Sequence, residues 1–102
     1  MKLDLVLVVW ADAHSDSAGW TGFKDIEDEG EYLVSSVGWV LKQEHGGKAQ
    51  HLTICQSYTP DEDVDHVLHI PNGMVRSVTV LTELHDLDPR TVIGYPHGRQ
   101  EI

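Results

Sequence analysis

The sequence predicts an all-β fold, and three observations lead to that prediction. Apolar and polar residues alternate over short runs that are separated by clusters of turn-forming residues, which is typical of strands. Long helical periods are missing, which disfavours an α/β arrangement. Between two of the runs lies Ile70-Pro71-Asn72-Gly73, whose proline stops a ladder and whose glycine allows a tight corner.

Five strands are predicted, and loops of different lengths separate them. In chain order the strands cover approximately residues 3–11, 32–43, 50–58, 65–70 and 74–81. The first is apolar on both faces, which indicates a central strand or one covered by another chain. Gly38 lies inside the second and predicts a bulge, a sharp bend or the close approach of another backbone. In the long first loop we expect one short helix, capped by Thr21 and ended by Gly30.

This order of elements fits a small, strongly bent barrel of the SH3 or Sm kind. In such barrels the first connection is long and a single 3₁₀-like turn joins the last two strands, a position that Ile70 to Gly73 would occupy. A two-sheet sandwich is the rival, although five strands are few for it. The barrel domain is expected over residues 1–81, followed by a loosely held C-terminal tail over residues 82–102. Thr91 to Tyr95 is the part of the tail able to add an edge strand.

The charge balance limits the classes of partner. The chain has 102 residues and a formal net charge of −10, with seven Lys and Arg against 17 Asp and Glu. So few basic residues disfavour direct binding to nucleic acid or to an anionic membrane, whereas the acidic excess favours a basic partner. One cysteine allows no internal disulfide and fits a reducing cytoplasm.

Acidic residues are concentrated in two clusters, one in the first loop and one before the fourth strand. Their members are Asp25, Glu27, Asp28, Glu29, Glu31, Asp61, Glu62, Asp63 and Asp65. Two interpretations remain open: an ordinary solvated surface, or a charge array that imitates a phosphate backbone and occupies a basic groove on a host protein.

A second candidate surface is a pocket for a small ligand such as a nucleotide. Its predicted residues are Asp12, His14, Trp20, Trp39, Gln56, Ser57 and Arg76. Large aromatics can stack on bases, and an Arg within the strand pattern needs an anion. The alternatives are that Trp39 fills the core and that Arg76 pairs with a nearby acid.

Neither a metal site nor a catalytic site is predicted. Asp12, His14 and Asp16 crowd into one loop, but no second His follows at a recognised zinc spacing, so we expect no metal and no cofactor. Ser15, Ser57 and Cys55 lack the sequence context of an activated nucleophile. The chain is therefore expected not to be an enzyme.

A set of spaced motifs over residues 3 to 81 resembles small, uncharacterised accessory proteins of tailed bacteriophages. The motifs are Trp10-x-Asp12-Ala13, Gly19-Trp20, Tyr32-x-Val34-x-Ser36-Val37-Gly38-Trp39, Gln56-Ser57 and Ile70-Pro71-x-Gly73-Met74-Val75. The resemblance implies a phage protein in the host bacterial cytoplasm that takes over a host factor or counters a defence system. Sequestration of a small signalling nucleotide and a structural role in the virion are the alternatives. The doubly apolar first strand and exposed sheet edges also predict a homo-oligomer.

Overall fold

The structure, a computed structural model, describes residues 2–13, 19–28 and 30–82. Within these ranges five antiparallel strands form one sheet, and the helical segments are 3₁₀ turns. The strands are β1 (Leu5–Asp12), β2 (Tyr32–Val40), β3 (His51–Tyr58), β4 (Val64–Pro71) and β5 (Val75–Val80). The predicted all-β fold is confirmed.

The strand order in the sheet is β4-β3-β2-β1-β5, so the last strand lies beside the first. A 3₁₀ turn over Asn72–Met74 connects β4 to β5, as the proline–glycine corner predicts. The sheet is not closed, because β4 and β5 form its two outer strands. This arrangement is compatible with a bent barrel whose last gap stays open.

β1 lies at the centre because it pairs along its length with β2 and with β5. Its even-numbered valines, Val6 and Val8, are buried at 2% and 0% exposure. They pack with Ile54 of β3 and Ile70 of β4, which form one apolar cluster with them. The part of the β3–β4 hairpin that contains Ile54 and Ile70 therefore packs over one face of β1.

A second apolar cluster, built from Leu3, Leu41 and Cys55, is separate from the first. Trp39 and Tyr58 pack against it, with ring centroids 5.2 Å apart in an edge-to-face arrangement. The core is thus divided into two small clusters.

β2 and β3 pair over a short distance. Their register covers Trp39↔Cys55 and Val40↔Ile54, although β2 continues for seven residues before Trp39. Gly38 lies at the point where the strands separate, and an added Cβ there would lie 2.9 Å from the carbonyl oxygen of Cys55. The bend predicted at Gly38 is therefore a close backbone approach, beyond which the tip of the β3–β4 hairpin diverges from β2.

The first loop differs from the prediction in its helix. The helical segment is one 3₁₀ turn, Phe23–Asp25, its N-cap is Gly22 rather than Thr21, and Gly30 lies well beyond its end. Phe23 and Ile26, which a longer helix would bury, are 95% and 60% exposed. Without an apolar face to pack, so short a segment cannot offset the cost of helix nucleation. The predicted tail strand at Thr91 to Tyr95 lies outside the described residues.

None of the helical segments in the described ranges is long and apolar enough to cross a bilayer.

Candidate binding site

The predicted pocket residues are distributed over two separate cavities. Trp39, Gln56 and Ser57 line one groove, whereas Asp12 and Arg76 line another. Trp20 lines neither and is fully exposed, at 105%. His14 lies outside the described residues. The structure therefore brings three of the predicted residues together in one place and two in a second.

The first cavity, which we call the Trp39 groove, has a volume of about 690 Å³. Tyr58, Thr59 and Pro60 complete its wall. Trp39 is half-buried, so that its ring both supports the apolar cluster and borders the groove. Gln56 and Ser57 are exposed and present an amide and a hydroxyl beside the ring. Such a lining is uncharged and suits a flat, polar-edged ligand.

Trp39 also lines a further cavity of about 600 Å³. Lys2 and Asp4 from the N-terminal segment and Leu81 and Thr82 after β5 contribute to it. This second cavity therefore combines the same aromatic ring with one basic and one acidic side chain.

The Asp12–Arg76 cavity has a volume of about 600 Å³ but its arginine is already paired. Arg76 Nε donates to both carboxylate oxygens of Glu31 at 2.9 Å, and its Nη1 donates to the carbonyl oxygen of Gly73 at 2.8 Å. These hydrogen bonds lower the pKa of Glu31 and raise that of Arg76. Arg76 therefore forms an ion pair with a nearby acid, which was the alternative to a ligand-binding role. An anionic ligand would have to displace Glu31 to bind it.

The acidic residues at the hairpin between β3 and β4 are held on an ordered turn. The amide of Thr59 donates to the carbonyl oxygen of Asp63 at 2.9 Å, and the amide of Glu62 donates to that of Thr59 at 2.9 Å. Glu62 lies in the left-handed region of backbone conformation, with a φ of 67°. We call residues 59–65 the hairpin tip.

The carboxylates of the hairpin tip are exposed, and no Lys or Arg in the described ranges pairs with them. Asp61, Glu62, Asp63 and Asp65 are all exposed. Among the described residues, the salt bridges within 4.0 Å are Asp65 with His66, at 2.9 Å, and Glu31 with Arg76. Unlike Glu31 in the first cluster, the tip therefore has no Lys or Arg counter-ion in the part of the chain that the structure describes.

The remaining acids of the first cluster lie in or after the 3₁₀ turn. Asp25, Glu27 and Asp28 are exposed, and Asp28 accepts a hydrogen bond from the amide of Gly30 at 2.9 Å. Glu29 lies outside the described residues. The two clusters thus differ, because the second is carried on a rigid turn and the first on an irregular loop.

Two features of the described residues bear on metal binding and on nucleophilic chemistry. Among these residues, no group of three or more His, Cys, Asp or Glu residues is placed to hold a metal ion. Cys55 is buried, and its burial raises the pKa of the thiol, which disfavours the reactive thiolate.

One interaction that the sequence did not predict joins β3 to β4 beneath the surface. Thr53 is 1% exposed, and its hydroxyl lies 2.8 Å from Nδ1 of His69 and accepts from the amide of Lys48 at 3.1 Å. The buried threonine is thereby satisfied. This contact is hard to predict from the sequence, because Thr53 occupies the same alternating pattern as the apolar residues around it and nothing marks it as hydrogen-bonded.

Comparisons of the chain with protein-family models, with curated proteins and with solved structures found no match.

Proposed function

We propose that this protein is a non-enzymatic phage accessory protein that binds a basic host protein through the hairpin tip. The observation that carries the proposal is the set of exposed carboxylates on an ordered turn without a Lys or Arg partner among the described residues. A turn whose backbone is already ordered loses little backbone freedom on binding, and uncompensated charge attracts a basic surface over several ångströms. The site of action on this proposal is the host bacterial cytoplasm.

The experiment compares two variants that remove the same number of charges. One is the tip variant, Asp61→Asn/Glu62→Gln/Asp63→Asn. The control is Asp25→Asn combined with changes at two neighbouring acids, Glu27→Gln and Asp28→Asn. Each tagged protein is incubated with lysate of infected host cells, and captured proteins are quantified by mass spectrometry at about 0.1 M and 0.5 M salt. The screening length is about 10 Å at the lower concentration, so an electrostatic complex should weaken sharply at the higher one.

The proposal predicts that the tip variant loses a basic partner which the wild type and the loop variant both retain. Equal loss from both variants would mean that net charge alone matters. Retention by the tip variant, or capture that is insensitive to salt, would contradict the proposal.

A second candidate function is the sequestration of a small nucleotide in the Trp39 groove. It is favoured by the observation that Trp39, Gln56 and Ser57 border the same cavity. The test uses a panel of cyclic mono- and dinucleotides, with tryptophan fluorescence and calorimetry as readouts and Trp39→Phe as the conservative variant. Binding that Gln56→Ala weakens while the fold stays intact would support this function, and no binding across the panel would count against it.

The homo-oligomer is also proposed, on the basis of apolar residues exposed along and beyond the outer strand β5. Val80, at the end of β5, and Leu81, just after it, are 59% and 38% exposed. Exposed apolar residues on an unpaired edge are typical of an interface. Native mass spectrometry of the purified protein distinguishes the monomer from the oligomer directly.

A further inference from the structure

Among the described residues, the part of β2 that precedes Gly38 has one edge without a strand partner. The amide of Val40 donates to the carbonyl oxygen of Asp4, so even-numbered residues of β2 direct their backbone groups toward β1. Odd-numbered residues direct theirs to the other side, where Trp39 meets Cys55 of β3. Pairing with β3 extends no further toward the start of β2. The amides and carbonyls of Leu33, Ser35 and Val37 therefore face away from β1 without a strand partner in the described ranges.

This edge lacks the features that protect the other two edges of the sheet. Natural edges are protected by charges, prolines, bulges or irregular residues. β4 has Asp65, Pro71 and the left-handed His66, at a φ of 51°. β5 has Arg76 and a register shift against β1 near its start, so only its other end, near Val80, is left apolar and exposed. In β2 the stretch from Leu33 to Val37 is Leu-Val-Ser-Ser-Val, without charge, proline or glycine.

A crevice lies where β3 diverges from this edge. Its volume is about 300 Å³, and its walls come from Val37 of β2, from Ile54 and Gln56 of β3 and from Leu68 of β4. Val37 and Leu68 are 56% and 37% exposed, so the walls offer apolar contact as well as backbone groups. Such a combination is the one that receives an extended segment by strand addition.

Charge at the rim distinguishes between occupants. His66 lines the crevice, and its Nδ1 lies 2.9 Å from Oδ2 of Asp65, at the border of the hairpin tip. A second copy of the chain would bring another net charge of −10 and a second acidic tip to the same rim. A segment flanked by lysine or arginine would instead find carboxylates beside it.

We infer that the open edge of β2 takes up an extended, lysine- or arginine-flanked segment of the basic partner as an added strand, with the hairpin tip contacting its charged flank. The inference rests on the proposed function and names the mode of binding. Main-chain hydrogen bonds to Leu33, Ser35 and Val37 would supply affinity, and the crevice would select an apolar residue in the middle of the segment.

The test uses Ser35→Pro, because the amide of Ser35 faces away from β1 and proline there removes no hydrogen bond of the β1–β2 ladder. The matched control is Val78→Pro, since the same alternation directs the amide of Val78 to the outer side of β5. Circular dichroism and thermal melting verify that both variants fold. The probe is acetyl-Lys-Val-Thr-Val-Thr-Val-Lys-amide, measured by fluorescence anisotropy beside a counterpart with glutamate ends and one with N-methylated central amides.

The inference predicts that Ser35→Pro and N-methylation each weaken binding about tenfold or more, as expected for the loss of one or two hydrogen bonds, and that Val78→Pro does not. The peptide with glutamate ends should not bind. Undiminished binding by Ser35→Pro, or no binding of the lysine-ended probe to the wild type, overturns the inference. If Ser35→Pro keeps the host partner while the tip variant loses it, the proposed function stands and the strand addition does not. Native mass that shows a dimer in the wild type and a monomer in Ser35→Pro assigns the edge to a second copy, which also overturns the inference.

Discussion

The close approach at Gly38 makes a quantitative prediction for Gly38→Ala. The new Cβ would lie 2.9 Å from the carbonyl oxygen of Cys55 and from Cβ of Ile54, whereas ordinary van der Waals contact begins at 3.4 Å. The neighbours would have to move by 0.5 Å to restore an ordinary van der Waals contact. Both are constrained, because Cys55 pairs with Trp39 and Ile54 is 4% exposed. Overpacking of this kind costs about 1–3 kcal/mol.

The assay is thermal unfolding followed by circular dichroism. For a domain of this size a loss of about 2 kcal/mol corresponds to a fall in melting temperature of about 8–16 °C. The control is Gly73→Ala, because an added Cβ there has nothing within 4 Å and the backbone is not left-handed. Its melting temperature should stay the same or rise slightly, since alanine restricts the unfolded chain.

Two results would refute the reasoning. If Gly38→Ala melts at the wild-type temperature, β2 and β3 do not approach as closely as described. If both variants fall by the same amount, the loss of any glycine is responsible, and the contact with Cys55 has no special weight.

Three further predictions concern pH, thiol reactivity and packing. The Arg76 hydrogen bonds hold the pKa of Glu31 below its usual value, so the pair stabilises the fold at neutral pH and stops doing so as pH falls through that lowered pKa. Glu31→Gln should therefore lower the melting temperature slightly at neutral pH and leave it unchanged in strong acid. Cys55 should react with a thiol reagent at least about a hundredfold more slowly in the folded protein than in urea, and equal rates would contradict its burial. Ile70→Ala should cost about 2–5 kcal/mol in chemical unfolding, whereas Val80→Ala, at an exposed position, should stay within about 0.5 kcal/mol of the wild type.

The strands and the closing corner could be predicted because their signals are local. Alternation of side chains and the residues Pro71 and Gly73 specify where a strand runs and where it stops. The helix in the first loop was predicted too long, because the spacing of Phe23 and Ile26 suggests an apolar face that packs against the core. Both side chains are exposed instead. Local periodicity does not show whether an apolar face has something to pack against.

The candidate site was harder to predict, because it depends on pairings that are distant in sequence. Arg76 meets Glu31 across 45 positions, and no feature of either residue identifies the other. The open edge of β2 exists because β3 diverges from it. Gly38 indicates a bend or close approach at this point, but the sequence does not show how far the two strands separate. Trp39, Gln56 and Ser57 line one cavity because they lie on the neighbouring strands β2 and β3, whereas Asp12 and Arg76 line another.

The central position of β1 has a consequence for synthesis of the chain. β1 is translated first, yet its partner β5 begins 63 residues after β1 ends, from Asp12 to Val75. At about 5–20 residues per second, the ribosome needs about 3 to 13 s to make that interval. During this time β2 can pair with one edge of β1 as a hairpin. The other edge has no partner, and the apolar residues of β1 that β5 would help to cover stay exposed. Nascent chains are therefore most vulnerable to aggregation, and most dependent on chaperones, before β5 emerges.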